Sequence, residues 1–327
     1  MSGYDIYGLG AALVDTEIDV SEDDLIRLGI QKGVMTLVDE ERQHELMTML
    51  DNHLCHSTRA SGGSAANSII AAQYLGGQTF YSCKVADDDN GRFYLADLSA
   101  AGVHFPQHAG EHEGITGKCL VMITADAERT MNTFLGISET LSSQQIDEEA
   151  LKRSKYVYIE GYLVTSTTGK PAAIKLRQLA EHYGVKTSVS LSDPAIVEFF
   201  YDDLKEMVGE KVDILFCNEA EAMKFTRTDT LEKALAALQE TARSFAVTRG
   251  AAGAVVFDGE SYISVDAPSV NAVDTNGAGD MFAGAFMFAI TQGRTYKAAA
   301  QLAVKASALV VSQYGPRLAS EQYAQLV

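Results

Sequence analysis

The sequence predicts an α/β protein: a doubly wound, mostly parallel sheet flanked by helices, with a small β-rich lid. Three observations lead there. Apolar runs of strand length alternate with amphipathic segments of helix length along most of the chain, the pattern of a parallel sheet covered on both faces. Two stretches, near residues 16–40 and 104–133, break that alternation with short polar and β-like pieces such as "VMTLVDEE" and "ITGKCLVMITADAERTMNTF". They read as a flap inserted at one end of the sheet, the alternative being ordinary surface hairpins. The third observation is length: 327 residues, 46% of them hydrophobic, suit a single domain over 1–327 with an insertion, and no repeat or linker divides them.

Taken in order, "YDIYGLGAALVD" reads as a strand and then a loop, "ANSIIAAQYLGG" as a helix closed by glycine, and "TFYSCKVA" as a strand. "GRFYLADLSAAG" has helical spacing with a glycine stop, and "YVYIEGYL" is a buried strand. "GKPAAIKLRQLAEHYG" is an amphipathic helix with proline near its start and glycine at its end. "KTSVSLSD" and "VDILFCN" are strands, "TLEKALAALQETA" is helical, and "FAVTRG" and "GAVVFDG" are strands again. Helices follow from Met281 and over about 296–312.

Composition removes several classes of function. No stretch approaches the ~18–20 apolar residues of a membrane span, and "MSGYDIYGLG" lacks the basic and apolar regions of a signal peptide; a cytoplasmic protein is expected. A net charge of −18 argues against nucleic acid and against anionic membranes. It leaves room for a small anionic ligand, because backbone N–H groups can hold phosphate on an acidic chain. Cys55, Cys83, Cys119 and Cys217 are scattered and read as reduced thiols. "HLCH" (His53, Cys55, His56) and the trio His104, His108 and His112 lack four-ligand zinc spacing, and Pro106 and Gly110 interrupt any helix that would align the trio.

The chemistry concentrates in "VDTNGAGDMFAGAF". Gly277, Ala278 and Gly279 stand directly before an apolar helix. Side chains this small let ligand atoms reach backbone N–H groups, and the helix N-terminus adds partial positive charge, so the loop reads as an anion hole. Asp280, on the first turn, can cap the helix or face the hole and take a proton from an attacking hydroxyl; only the second role explains the glycines. Asp274 and Thr275 can hold the loop's shape or coordinate a cation. No Walker A loop is present: "TTGKP" has Val164 at the first glycine position and Pro171 after the lysine, and "GITGKC" has the wrong spacing and Cys119 after Lys118. "GLGAALVD" is half a dinucleotide fingerprint, with Leu13 at the third glycine position.

"DTNGAGD" resembles the D-T-x-G-A-G-D signature of the ribokinase-like (PfkB) carbohydrate and nucleoside kinases. "ASGGSAANSIIAAQYLGG" resembles the family's G-G-x-x-x-N substrate loop, "CNEAEA" its N-x-x-E motif and "VTRGAAGA" its T-x-G-x-x-G nucleotide loop. The four occur in the family's order across essentially the whole chain. The resemblance implies a ribokinase-like fold and an ATP- and Mg2+-dependent phosphotransferase. Asp280 would be the base, with Gly277, Ala278 and Gly279 around the γ-phosphoryl group of a loose transition state. Asn218 and Glu221 would orient Mg2+ through water; read without the resemblance they are a helix cap and an acidic turn. Thr248, Gly250 and Gly253 would line the ATP site. Arg129, on the flap, would close over the phosphates or else form a surface ion pair. A monovalent cation such as K+ would sit near Asp274.

On the acceptor side the implied residues are Asp15, Gly63 and Asn67, which together suit a vicinal diol; singly they read as turn and cap residues. "ERTMNTFLGI", "YIEGYL", "LSDP" and "SQYGPRL" look most like bacterial members of the adenosine-kinase-like branch. A nucleoside base would then lie against Leu13, Met35, Phe134, Leu135 and Tyr162, unless these are flap core. The favoured acceptor is adenosine, with ribose, fructose or another sugar as alternatives. A non-catalytic sensor of nucleosides or sugars, and an NAD-linked oxidoreductase, are the readings from other classes. The chain is expected as a monomer or a lid-mediated homodimer, with no nucleic-acid or membrane partner.

Overall fold

The computed structural model describes residues 3–51 and 58–326. His53, Cys55 and His56 of "HLCH" lie outside the described residues. The strands in chain order are β1 (Tyr4–Leu9), β2 (Leu13–Asp19), β3 (Met35–Leu37), β4 (Thr58–Gly62), β5 (Thr79–Ser82), β6 (Thr116–Ile123) and β7 (Arg129–Gly136). They continue with β8 (Ser154–Glu160), β9 (Lys186–Ser190), β10 (Val212–Asn218), β11 (Ala242–Thr248), β12 (Ala254–Phe257) and β13 (Tyr262–Val265).

Two sheets result. The larger has the order β13-β12-β11-β10-β9-β8-β1-β5. It is parallel from β5 to β11 and ends in the antiparallel pairs β11–β12 and β12–β13. The chain steps from β1 outward to β5 and returns to β8 on the other side, so the order reverses at β1, where α/β sheets form a crevice. Strand residues alternate between two cores. Ile6, Tyr156, Tyr158 and Phe216 face the helices Ser64–Tyr74, Ala278–Thr291 and Tyr296–Val310. Leu9, Val157, Ile159 and Leu215 face the helices Gly169–Tyr183, Tyr201–Val208 and Glu219–Thr226.

The smaller sheet has the order β3-β7-β6-β2-β4. Leu13, in the reading above part of a loop, already belongs to β2. Residues 22–28 are helical rather than β-like, because Ser21 and Asp24 form a capping box and Gly29 closes the helix in the left-handed region. That helix and Glu40–Met49 cover the outer face of the sheet, with Leu25, Leu28 and Leu46 in one cluster with Ile18, Leu120 and Met122. The chain crosses between the sheets at residues 10–12, 63, 114–115 and 137. These crossings lie side by side: Leu13 pairs with both Gly62 and Gly117, and Thr116 pairs with Gly136. His104 bridges Phe80 of the large sheet and packs its ring on Tyr4. No helix among the described residues is long and apolar enough to cross a membrane.

Helices Ser64–Tyr74 and Ala278–Thr291 are buried nearly all round and touch at Gly284. A Cβ there would stand 2.3 Å from the Ser68 carbonyl oxygen and 2.9 Å from Ala71 Cβ. Gly284→Ala is therefore expected to lower stability by about 1–3 kcal/mol, the usual scale for overpacking. Chemical denaturation would read it, and an unchanged midpoint would mean that the helices part without cost.

Candidate active site

Four parallel strands end in a polar residue at one rim of the large sheet: β8 in Glu160, β9 in Ser190, β10 in Asn218 and β11 in Thr248. Between this rim and the inner face of the small sheet lies a cavity of about 570 Å³. It gathers Asp15, Gly63, Asn67, Arg129, Asn218, Glu221, Thr248, Gly250 and the run Gly277–Asp280, which the sequence separates by up to 265 positions (from Asp15 to Asp280).

Asp280 sits where two helix N-termini converge. Both helices start at a glycine with positive φ, Gly63 (96°) and Gly277 (71°), and neither has a side-chain cap. Glu160 takes the Ala65 N–H and the Thr275 carbonyl takes that of Ala278, which leaves the N–H groups of Gly279 and Asp280 for a ligand. A Cβ on Gly279 would meet nothing within 4 Å, so packing does not demand glycine there; it keeps the approach to the backbone open. Asp280 Oδ1 accepts from Ser64 Oγ at 2.6 Å and Oδ2 accepts from Asn67 Nδ2 at 3.1 Å. Burial raises the Asp280 pKa, and the bonds from Ser64 and Asn67 and the charge of Arg129 work against that rise. A carboxylate held in this way is fixed in aim and able to accept a proton.

Beside it, Asn67 is buried and its Oδ1 has no hydrogen-bond partner, which marks a place for a donor. Asp15 lies on β2. Burial, with Glu17 and Asp280 nearby, raises its pKa well above the usual carboxylate value, and Arg317 and Arg129 partly offset this. Gly62 makes room for it: a Cβ there would stand 2.0 Å from Asp15 Oδ2.

On the opposite side, Asn218 and Glu221 form a reciprocal capping box on helix Glu219–Thr226. Glu221 Oε1 accepts from Asn218 Nδ2 at 2.6 Å and Oε2 from Asn218 N at 3.0 Å. The cap and the cavity-lining position are thus both realised. Arg129 is half-buried on β7 and forms no salt bridge among the described residues; its Nη1 contacts Met131 Sδ at 3.3 Å. Gly253 stands back from the cavity, in the turn against Val265. Asp274 is buried beneath the loop, with Oδ1 accepting from Asn276 N at 2.8 Å and Oδ2 from Gly315 N at 2.9 Å. Leu13, Met35, Leu135 and Tyr162 line the cavity together with Met131. Phe134 does not, since alternation turns it to the other face of β7.

Several cavity residues escaped the motif reading. Ser64 lies inside the glycine-rich motif but reads there as a helix starter. Glu160 hides at the end of the apolar "YVYIEGYL". Its Oε1 accepts from Ala11 N and its Oε2 from Ala65 N, both at 2.7 Å, so it clamps the two segments that lead to Asp15 and Asn67. A charged residue closing an otherwise apolar strand was the available signal.

A family model described as "pfkB family carbohydrate kinase" matches residues 34–322. A structure described as a probable sugar kinase protein from Rhizobium etli CFN 42 superposes with a TM-score of 0.91 at 32% identity, covering 100% of both chains. The adenosine kinase from Sinorhizobium meliloti gives 0.91 at 32% identity, covering 99% of each. The adenosine kinase of Saccharomyces cerevisiae is 27% identical over 333 residues, 96% of each chain. The chain belongs to the pfkB family of carbohydrate kinases, phosphotransferases with an alcohol group as acceptor.

Burial lifts both Glu160 and Glu221 from 4.5 to about 7. Between those values the folded chain keeps protons that the unfolded chain has released, so each group makes stability fall as pH rises from 4.5 to about 7. Above that window the effect is level. Glu160→Gln removes one of the two contributions. The stability difference, wild type minus variant, should therefore shrink with rising pH by up to ~1.4 kcal/mol per unit. Denaturant titrations across the window would read it, and a pH-independent difference would return Glu160 to an ordinary carboxylate.

Proposed function

We propose that this kinase transfers the γ-phosphoryl group of ATP to the primary hydroxyl of a nucleoside, adenosine before others. The observation that carries the choice of acceptor is the apolar wall of Leu13, Met35, Met131, Leu135 and Tyr162 beside the polar corner of Asp15 and Asn67. A sugar alone fills the corner and leaves the wall wet, whereas a nucleoside covers both. The adenosine kinases among the relatives support the same reading.

In this reading Asp15 accepts from the ribose hydroxyls and the open Oδ1 of Asn67 accepts from another. The reacting hydroxyl then points at Asp280, which takes its proton as the oxygen attacks phosphorus. The exposed N–H groups at the start of helix Ala278–Thr291 and the Arg129 guanidinium face the charge on the transferring group. The small sheet acts as a lid that keeps water out. Mg2+ would supply charge neutralisation on the phosphates. Both Glu221 oxygens already accept from Asn218, so the fit is through bound water rather than direct ligation. Both Asp274 oxygens are likewise engaged by backbone N–H groups, so K+ there would rest on carbonyl oxygens. The helices over the outer face of the small sheet favour a monomer.

A second reading, a sugar kinase, has the Rhizobium etli relative in its favour. An ADP-release assay with Mg·ATP against adenosine, inosine, guanosine, cytidine, ribose and fructose separates the two. Turnover with adenosine is expected. Turnover with a free sugar alone would return the apolar wall to lid packing, and binding without turnover would indicate a sensor. Asp280→Asn should lower kcat by roughly 10²–10⁴-fold, the usual span for a general base, while calorimetry still detects adenosine. Near-wild-type kcat would end the assignment of Asp280.

A further inference from the structure

We propose that Glu17 and Asn276 are positioning residues that tie the anion loop to the strand carrying the acceptor-binding carboxylate. The proposal rests on the functional reading above and concerns the same site. Alternation along β2 puts Asp15 and Glu17 on one face, about 7 Å apart. Asp15 faces the acceptor corner. Two residues on, buried Glu17 Oε1 accepts from Asn276 Nδ2 at 2.9 Å, across 259 positions of sequence. Thr275 makes a second tie, its Oγ1 donating to the Ala127 carbonyl oxygen at 3.1 Å in the β6–β7 turn. Ala127 presents that oxygen from a left-handed backbone, φ 64°, uncommon for a residue other than glycine.

Two consecutive residues thus grip the small sheet, and the next residues, Gly277–Asp280, are the anion loop. From the other side, Asp274 fixes the loop to Gly315 and to the Asn276 amide. The loop can therefore hold one shape only while β2 and the β6–β7 turn are seated against it. One strand positions both reactants: the acceptor through Asp15, and the phosphoryl-facing amides through Glu17 and Asn276. A local cap would need neither contact, since both bonds leave the loop and cross to the other sheet.

Steady-state kinetics of Asn276→Ala, Glu17→Ala, Glu17→Gln and the double alanine variant test the tie. Asn276→Ala is expected to lower kcat by roughly ten- to a hundredfold, the scale of a small misplacement of reacting groups. The acceptor KM should move by less than about threefold, because Asp15 and Asn67 are untouched. Glu17→Ala should match it, the double variant should be no worse than either single one, and Glu17→Gln should restore most of the rate through its amide oxygen. Additive losses, or an unchanged kcat in Asn276→Ala, would overturn the proposal. If no acceptor turns over in wild type, the functional reading fails by itself. Hydrogen exchange then decides the tie: amides at 277–280 should exchange faster in Asn276→Ala than in wild type while helix Tyr296–Val310 is unchanged. Equal exchange at 277–280, or faster exchange in both segments, would overturn it.

Discussion

The contact between helices Ser64–Tyr74 and Ala278–Thr291 at Gly284 sets the position of everything else in the cleft. With no side chain in the way, one helix rests on the backbone of the other, and their N-termini arrive at the same point. Each brings a glycine start that supplies no side-chain cap, and with it the partial positive charge of a helix N-terminus. Asp280 belongs to one helix, and the side chains that aim it, Ser64 and Asn67, belong to the other. A wider crossing would separate the carboxylate from its donors and split the positive field in two. This explains how a chain of net charge −18 can face a polyphosphate: the local field comes from backbone dipoles, which net charge does not count.

Buried carboxylates serve the backbone throughout the site. Glu160 spans Ala11 and Ala65, Asp274 spans Asn276 and Gly315, and Glu221 closes its own helix. Glu160 and Asp274 each take two backbone N–H groups and so tie separate segments together, whereas Glu221 caps a helix. The cost of burying such groups appears as raised pKa values in Glu160, Glu221 and Asp274.

The large sheet was legible because its signals are local: strand runs, glycine stops and helix periodicity recur at the right spacing. The glycine-rich motifs were legible for a similar reason, since bare backbone beside a carboxylate has few structural explanations. Glu160, Ser64 and Glu17 were not, because their partners lie 149, 216 and 259 positions away; only Glu160, a charge closing an apolar strand, stands out in its own neighbourhood. The helix at 22–28 was missed because its turn of acidic residues looks like a polar loop until the Ser21–Asp24 cap is seen. Phe134 was a candidate for the base slot with flap core as its alternative, and the choice depends on which face of β7 it occupies, which strand register decides.

The four chain crossings lie in one row along the end of the small sheet, which makes the row an axle. Sliding of the small sheet would shear all four crossings at once, whereas rotation about the row would bend each one only locally. Distance from the axle then decides how far each residue travels. Asp15 is two residues out along β2, whereas Arg129 is seven residues from Gly136 along β7, about 24 Å. A swing of about 10° would move Arg129 by about 4 Å and Asp15 by only about 1 Å. The geometry is that of a lever, with the Asp15 carboxylate near the fulcrum and the Arg129 guanidinium at the tip.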